Sequence, residues 1–313
     1  LLENDQPKTS YHGYAITDHY KIDPRFGSNA LYKQFVSESH TKGLKVIMDV
    51  VYNHVGDQHY FMKELPDSSF INWWENYTSS NFRAPTLMDP YSSTDDKKRM
   101  TQGWFDHHMP DLNQKNEHLA NYLIQNSIWW IEEFNIDAFR IDTYSYSDQS
   151  FMANLSDRIQ EEFPSFFMFG ETWVHGPQIQ NWFINENPFR SESSKLQSAT
   201  DFQLAFAIHD ALTKEPGWAE GLNKIYYILA GDYQYENPQD LVTFADNHDL
   251  ARIYGLVNED LDKFEIAIGF LLTTRGIPQI YYGTEILMKS TKGHGEYRED
   301  FWGGWKEDSF NKF

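Results

Sequence analysis

The stretch NIDAFRIDTYSY, residues 135–146, alternates like a β-strand but places two charges, Arg140 and Asp142, two positions apart. Residues i and i+2 of a strand lie on the same face, so Arg140 and Asp142 share one face, opposite Phe139 and Ile141. Charged side chains are seldom buried unless they are paired or functional. This strand therefore carries either a structural ion pair or part of a functional site.

The composition limits the classes of partner. The 313 residues include 26 basic and 46 acidic side chains, which gives a net charge of −20, and no cysteine. That field repels a phosphate backbone, so we expect neither nucleic acid nor a membrane surface as a partner. The aromatic content of 17% suits a surface that stacks on neutral sugar rings. Disulfides, thiolate catalysis and cysteine-bound metals are excluded.

Strand-like segments alternate with segments of helical spacing. The strand-like segments are 43–54, 136–143, 166–173, 241–250 and 278–285. The helical segments are 117–134, 150–163 and 263–274. In the first of these helices, Leu119, Leu123, Ile128 and Trp129 are predicted to lie near one face. Such alternation predicts parallel βα units.

Polar side chains follow the apolar part of several predicted strands. They are Asp49, Asn53, His54, Arg140, Asp142, Glu171, Asn247, His248, Asp249 and Glu285. In a (β/α)₈ barrel the active site lies at the carboxyl ends of the strands. A doubly wound sheet also binds ligands there, but the chain lacks a GxGxxG fingerprint. The pattern favours a (β/α)₈ TIM barrel of the α/β class.

Residues 55–115 interrupt this alternation with a long, aromatic and polar segment. Long irregular segments in compact domains are usually functional or form an inserted subdomain. We therefore predict an N-terminal barrel part over 1–54, a loop-rich insertion over 55–115 after the third strand, and the rest of the barrel over 116–313.

Three carboxylates at strand ends, Asp142, Glu171 and Asp249, predict acid/base chemistry. Retaining glycosidases need two carboxyl groups about 5–5.5 Å apart, and neighbouring strands lie roughly 4.8 Å apart. Arg140 should keep Asp142 ionised, as a nucleophile requires. The apolar neighbours of Glu171 should raise its pKa, as a proton donor requires.

The motifs in this chain resemble the alpha-amylase family of glycoside hydrolases almost from end to end. Its four signature regions are matched in order by DVVYNH (49–54), FRIDTY (139–144), GETW (170–173) and FADNHD (244–249). Further segments similar to the family are MPDLN (109–113), GYAITDHYKIDPRFGS (13–28) and GIPQIYYGTE (276–285). A finer resemblance, to bacterial neopullulanase and cyclomaltodextrinase-type enzymes, rests on LLEND…SYHGY, WFDHHMPDLN and REDFWGGW.

The resemblance implies a role for each matching residue. Asp142 would be the nucleophile, Glu171 the acid/base, and Asp249 would bind the 2- and 3-hydroxyls of the sugar. The expected substrate-binding residues are Tyr14, which would stack on the sugar, Asp49, which would brace the site, Arg140, which would hold Asp142, and His54 and His248, which would bind hydroxyls.

The resemblance also implies hydrolysis of α-1,4-glucosidic bonds in cyclodextrins, pullulan, maltooligosaccharides or starch, through a covalent glucosyl-enzyme. No organic cofactor is expected; Ca²⁺ is compatible, with Asn53 as a candidate ligand. A transglycosylase and a non-catalytic starch-binding relative are the alternatives. A metal-dependent hydrolase is disfavoured because HxH and HExxH are absent. Homodimerisation through modules outside this chain is an expectation, as is a periplasmic or secreted location, with a cytoplasmic one as the alternative.

The resemblance begins at the end of the second barrel strand. We therefore expect the first strand, the first helix and most of the second strand to be absent from this sequence, which leaves six strands where eight are expected. The two open edges predict that the 313 residues alone fold poorly.

Overall fold

The computed structural model describes residues 11–184 and 194–301, which form two compact units. Of the described residues, the first unit holds 11–172, 183–184 and 194–197, and the second holds 173–182 and 198–301. The segment LLEND and the end of REDFWGGW, which contribute to the finer resemblance, lie outside the described residues.

The first unit alternates strands with helices as predicted. Its strands are β1 (Ile47–Val51), β2 (Ala138–Asp142) and β3 (Phe167–Gly170). Its helices are α1 (Asn29–Thr41), α2 (Tyr60–Lys63), α3 (Thr94–Gln102), α4 (Glu117–Phe134) and α5 (Gln149–Glu162).

Strand β2 is paired in parallel with β1 on one side and with β3 on the other. The register sets Arg140 opposite Asp49, and Ile141 opposite Gly170. Phe139 and Ile141, on the other face of β2, are fully buried. Because all three strands run in the same direction, their carboxyl ends meet at one edge, where the predicted polar side chains stand.

Helix α4 has the bounds that the sequence predicts, because a polar residue stops it at each end. The Asn116 side chain accepts the backbone N–H groups of His118 and Leu119, and Asn135 ends the helix with a left-handed φ of 55°. Such caps satisfy N–H groups at the start and turn the chain at the end. Leu119, Leu123 and Ile128 are buried, whereas Trp129 is half-buried against Tyr20, with ring centroids 4.9 Å apart; the neighbouring Trp130 is buried.

Residues 55–115 are mostly irregular. Besides α2 and α3 they contain two 3₁₀ turns, Ser68–Phe70 and Ala84–Leu87. Single antiparallel bridges join His54 to Asp111 and Ile71 to Leu112. The insertion is thus fastened to the end of β1, while its exact boundaries stay a prediction.

The second unit also consists of short strands and helices. Its strands are β4 (Ser198–Ala199), β5 (Val242–Phe244) and β6 (Ile277–Gln279). Its helices are α6 (Pro177–Asn181), α7 (Phe202–Thr213), α8 (Leu222–Ala230), α9 (Ile253–Leu256), α10 (Leu261–Thr273) and α11 (His294–Tyr297). Strands β5 and β6 pair in parallel, and Thr200 bridges to Val242. Its core includes Leu204, Ile208, Ala245, Ile253 and Leu271.

Strand β5 is much shorter than the predicted strand 241–250. Beyond Phe244 the backbone turns, because side chains bind the N–H groups that a longer strand would use. The carboxylate of Asp246 accepts the N–H of Ile253, and Asn247 Oδ1 accepts those of Asp249 and Leu250. Such local bonds compete with a sheet ladder. Among the helices of the described part, none is long and apolar enough to cross a membrane.

Candidate active site

Arg140 is the centre of a charged cluster at the carboxyl edge of the sheet. Its Nη1 lies 2.8 Å from Oδ1 of Asp142 and 2.8 Å from Oδ1 of Asp49, and its Nη2 lies 3.4 Å from Oε2 of Glu171. Only 11% of the Arg140 side chain is exposed. One guanidinium therefore bridges carboxylates from three adjacent strands. The sequence left open whether Arg140 and Asp142 form a structural ion pair or part of a functional site. In the structure they form an ion pair, and that pair lies within a cluster of three carboxylates.

Glu171 is held beside Asp142 by the backbone of β2. Its own N–H donates to the carbonyl of Ile141 at 2.8 Å, and the N–H of Thr143 donates to Oε2 at 2.9 Å. Thr143 has a left-handed φ of 47°, which is unusual for a β-branched residue. Backbone strain of this kind is concentrated at functional sites. Thr143 gives no signal in the sequence, because its contact with Glu171 is made by its backbone N–H.

The protonation of Asp142 differs from the prediction. Burial raises its pKa well above the usual range, Arg140 lowers it, and Glu171 and Asp49 raise it again. We expected Arg140 to keep this carboxyl ionised. That expectation is wrong in direction, because one positive charge serves three carboxyl groups while burial disfavours the ionised form of Asp142. The cluster therefore tends to hold a proton.

Tyr14 lies against the same cluster. Its hydroxyl donates to Oδ2 of Asp49 at 3.0 Å, and the Arg140 guanidinium carbon lies 5.7 Å from the centre of the Tyr14 ring. Burial and the nearby Asp49 carboxylate raise the pKa of Tyr14. The phenol stays neutral and donates a hydrogen bond to Asp49, which orients the ring at the edge of the sheet.

His54 is completely buried just after β1. Burial, and then the nearby His12, lower its pKa to about 3, although a backbone hydrogen bond with Tyr14 acts the other way. Its ring is stacked on Phe105 of the insertion, with centroids 5.1 Å apart and planes inclined by 18°. His54 is thus a neutral imidazole at neutral pH, packed between β1 and the insertion.

The remaining predicted residues, His248 and Asp249, belong to the second unit. Asp249 Oδ1 lies 2.6 Å from Nη2 of Arg298, and His248 Nε2 lies 3.3 Å from Asp249 Oδ2. Nε of Arg298 also donates to the His248 carbonyl at 3.1 Å. Arg298 was missed as a site residue, although it opens the REDFWGGW segment. The sequence around Asp249 does not indicate this partner, because Arg298 lies 49 residues further along the chain.

The turn that carries His248 and Asp249 has a second anionic group. Asp246 is buried, and burial raises its pKa to about 6. The Ile253 N–H, Arg252 and Thr284 act in the opposite direction and lower this pKa, but by less. Arg252 is also fully buried and donates through Nη1 to the carbonyl of Tyr282 at 2.7 Å. Charged groups inside the unit therefore hydrogen-bond to the backbone beside this turn.

A calcium site can be tested on Asn53, the candidate ligand. Oδ1 of Asn53 is buried and has no hydrogen-bond partner among the described residues. The carboxyl group of Asp111 is also buried, and burial raises its pKa well above the usual range against one hydrogen bond from Asn72. These are oxygen donors of the kind Ca²⁺ prefers, but it takes six to eight of them. The described residues contain no cluster of three or more acidic or histidine side chains arranged for a metal, so they do not form a complete cage.

Comparison with known proteins identifies the family. The catalytic domain of alpha-amylases matches residues 4–308. A cyclomaltodextrin glucanotransferase of Thermoanaerobacterium thermosulfurigenes is 31% identical over 90% of this chain and 38% of its own length. A cyclomaltodextrinase of Thermoanaerobacter pseudethanolicus is 27% identical over 97% of this chain and 49% of its own. The chain thus spans less than half the length of these two relatives.

The solved structures agree with the fold. The alpha-amylase of Geobacillus thermoleovorans, crystallised with acarbose, superimposes with a TM-score of 0.77 and 28% identity, over 93% of this chain and 61% of that one. The prediction of a (β/α)₈ barrel fold is confirmed, and the chain covers part of that barrel protein's length. From the ordered motifs, the strand-end cluster and these similarities, we conclude that the chain belongs to the alpha-amylase catalytic domain family.

Proposed function

We propose that this chain carries the catalytic centre of a retaining enzyme that cleaves α-1,4-glucosidic bonds. The single observation that supports this most strongly is the Arg140 guanidinium, which contacts carboxylates at the ends of two paired strands, Asp142 and Glu171. Neighbouring strand ends fit the carboxyl separation of about 5–5.5 Å that retaining glycosidases use.

In the first step, an oxygen of Asp142 attacks the anomeric carbon of the bound glucose unit. Glu171 transfers its proton to the glycosidic oxygen, the bond from that oxygen to the anomeric carbon breaks, and a glucosyl ester forms on Asp142. The proton shared in the cluster belongs on Glu171 for this step. The N–H of Thr143 and the guanidinium of Arg140 then stabilise the carboxylate that Glu171 becomes.

In the second step, Glu171 takes a proton from a water molecule, and the oxygen of that water attacks the anomeric carbon. The ester bond to Asp142 breaks, and the sugar leaves with its original anomeric configuration. Two inversions at one carbon give net retention.

The other predicted residues would bind the sugar. Asp249 and His248 would accept and donate hydrogen bonds at its hydroxyls, and the neutral His54 would do the same from β1. Tyr14 would present its ring to the apolar face of the sugar, while Asp49 holds the Tyr14 hydroxyl. Arg140 would position Asp142 and Glu171.

Short maltooligosaccharides, cyclodextrins and pullulan are the proposed substrates. The cyclomaltodextrinase matches 97% of this chain, which supports the finer resemblance drawn from the sequence. Glycosyl transfer is the second candidate, because relatives named cyclomaltodextrin glucanotransferase match at up to 31% identity. In transfer a sugar hydroxyl replaces water in the second step. A non-catalytic starch-binding role is disfavoured, because all three carboxylates are present.

The test incubates the protein with γ-cyclodextrin, pullulan and soluble starch, with Asp142→Asn beside the wild type. Asp157→Asn, a partly exposed aspartate of the first unit, is the matched control. We expect ring opening or panose release by the wild type and the control, and none by Asp142→Asn. Equal rates in all three would refute the mechanism. Products formed with added glucose as acceptor separate transfer from hydrolysis.

A further inference from the structure

Phe82 of the insertion combines exposure with an unusual backbone. Half of the side chain, 50%, is open to solvent, and φ is 53°, in the left-handed region. That region is unfavourable for a bulky side chain. Burying a ring can offset the cost of backbone strain, but only half of the Phe82 side chain is buried. Such strain persists where the surrounding structure imposes it, most often at functional sites.

The turn around Phe82 is held by its polar neighbours. The Phe82 N–H donates to Oγ of Ser80 at 3.1 Å, and the Arg83 N–H donates to Oδ1 of Asn81 at 3.1 Å. Asn81 Nδ2 in turn donates to the carbonyl of Asp96 on α3 at 2.9 Å. These bonds fix the backbone on both sides of Phe82, so the ring is held outward by the fold of the insertion.

The Phe82 ring forms one side of an aromatic cluster with Phe105 and Tyr146. Its centroid lies 5.5 Å from that of Phe105 and 5.9 Å from that of Tyr146, and the Phe105 and Tyr146 centroids are 5.6 Å apart, all edge-to-face. The other neighbour of Phe105 is His54, stacked at 5.1 Å. The cluster thus leads from a residue of the proposed site to the surface.

Tyr146 ties the same cluster to the carboxylates. It follows β2 by four residues, in the 3₁₀ turn Tyr144–Tyr146. Burial raises its pKa, and the charges of Glu171 and Asp142 raise it further. Tyr146 thus stands four residues after Asp142, with its hydroxyl in the field of both proposed catalytic carboxylates.

We propose that Phe82, with Phe105 and Tyr146 behind it, is a stacking surface for a glucose unit further along the substrate chain than the one held at Asp142 and Glu171. The inference rests on the proposed function and adds a specificity-determining residue to it. Aromatic faces pack against the apolar face of a sugar, and a neutral ring suits a strongly acidic chain, which favours neutral ligands. Phe82 selects substrates long enough to reach it, so its contribution grows with the number of glucose units.

The test measures kcat/KM for maltotriose and maltoheptaose in the wild type, Phe82→Ala and Phe82→Trp. We expect Phe82→Ala to lower kcat/KM for maltoheptaose about tenfold, equivalent to ~1.4 kcal/mol of binding, mainly through KM. Maltotriose should change much less, and Phe82→Trp should restore the preference for the longer substrate. The matched control is Tyr91→Ala, a fully exposed aromatic of the same insertion, which should leave both substrates unchanged.

A second measurement separates binding from structure. Phe82→Gly removes the ring but fits the positive φ, so its melting temperature should equal or exceed that of Phe82→Ala. Both variants should lose the same affinity for maltoheptaose, measured by calorimetry in an Asp142→Asn background. If Phe82→Gly bound maltoheptaose as tightly as the protein with Phe82, the backbone conformation and not the ring would determine the affinity. That result would overturn the proposal.

Different results would refute the stacking surface at Phe82 and the proposed function. If the wild type cleaves maltoheptaose and Phe82→Ala keeps the same length preference, the stacking surface is refuted and the proposed function stands. If the wild type neither cleaves nor binds any oligosaccharide, the proposed function is refuted, and the stacking surface is refuted with it.

Discussion

Nη1 of Arg140 lies 2.8 Å from Oδ1 of Asp49, the residue directly opposite it on the neighbouring strand. The same nitrogen lies 2.8 Å from Asp142, so Asp49 competes with Asp142 for one positive charge. Asp49 is the more exposed partner, with 41% of its side chain open to solvent. This competition makes Asp49 a means of changing the proton affinity of the cluster without removing a group that touches the reacting atoms.

Replacing Asp49 by asparagine should lower the pKa of Asp142. The Asp49 charge raises that pKa, so its removal makes Asp142 easier to ionise. The acid limb of the kcat/KM profile should therefore move to lower pH. The profile against a soluble maltooligosaccharide measures this, with Asp157→Asn as control. An acid limb that moves to higher pH would contradict the assigned direction.

Replacing Arg140 by alanine should destabilise the first unit strongly. It leaves Asp142 and Glu171 buried without a cation, and breaking a buried ion pair from one side costs about 3–5 kcal/mol. Chemical denaturation should detect the loss. Arg140→Lys should recover only part of it, because an ammonium lacks the two-nitrogen fork that spans both carboxylates. Full recovery by lysine would show that charge alone holds the cluster.

Replacing Gly170 by alanine should disturb Glu171, the next residue. A methyl group at this position would lie 2.6 Å from Cγ of Tyr144, far inside contact distance. Overpacking of this kind costs about 1–3 kcal/mol, and kcat should fall with the melting temperature.

Gly269→Ala is the matched comparison for Gly170→Ala. Gly269 lies within α10, and an added methyl group would meet no atom of the described residues within 4 Å, apart from its chain neighbours and the backbone of its own helix. Alanine is favoured over glycine inside a helix by roughly 0.5–1 kcal/mol, so this variant should melt higher with unchanged kcat. Equal melting temperatures for the two variants would refute the packing argument.

Replacing Asp246 by asparagine should change how stability depends on pH. The folded pKa of Asp246 is about 6, above its usual value of 3.8. Its contribution is therefore present in full below pH ~4 and is lost as pH rises through about 6. The asparagine variant lacks this loss, so its stability relative to the wild type should rise across that window, by at most about 3 kcal/mol.

Denaturation midpoints at pH 4, 5, 6 and 7 measure the Asp246 effect. If the stability of Asp246→Asn fell relative to the wild type as the pH rises from 4 to 7, the sign of the argument would be reversed.

Local patterns in the sequence predicted some of the regular elements, but not the helices α1, α7 and α8. Helix α4 was predicted with its true ends, because both caps are asparagines next to the apolar repeat. Strand β5 was predicted too long, because Asp246 and Asn247 turn the backbone with side-chain bonds that periodicity does not reveal.

The candidate site was predictable from the sequence where a charged residue stands in or directly after a predicted strand that is otherwise apolar. Arg140, Asp142, Glu171 and Asp49 do so, and the structure brings them together. The direction of the Asp142 pKa was not predictable from Arg140 alone. It depends on burial and on a sum over three carboxyl groups, which only three-dimensional distances provide. Phe82 could not be found from the sequence at all, because its exposure and positive φ arise from the fold of the insertion.

The middle position of β2 also bears on how the chain selects its strand alignment. If β2 slipped by one residue against its neighbours, Arg140 would turn to the opposite face and enter the layer now filled by Phe139 and Ile141. Asp49 and Glu171 would then face each other across β2 without a cation between them. The misaligned sheet would lose its apolar packing and its charge balance at once. The apolar layer and the charged cluster therefore both favour the observed register over one shifted by a single residue.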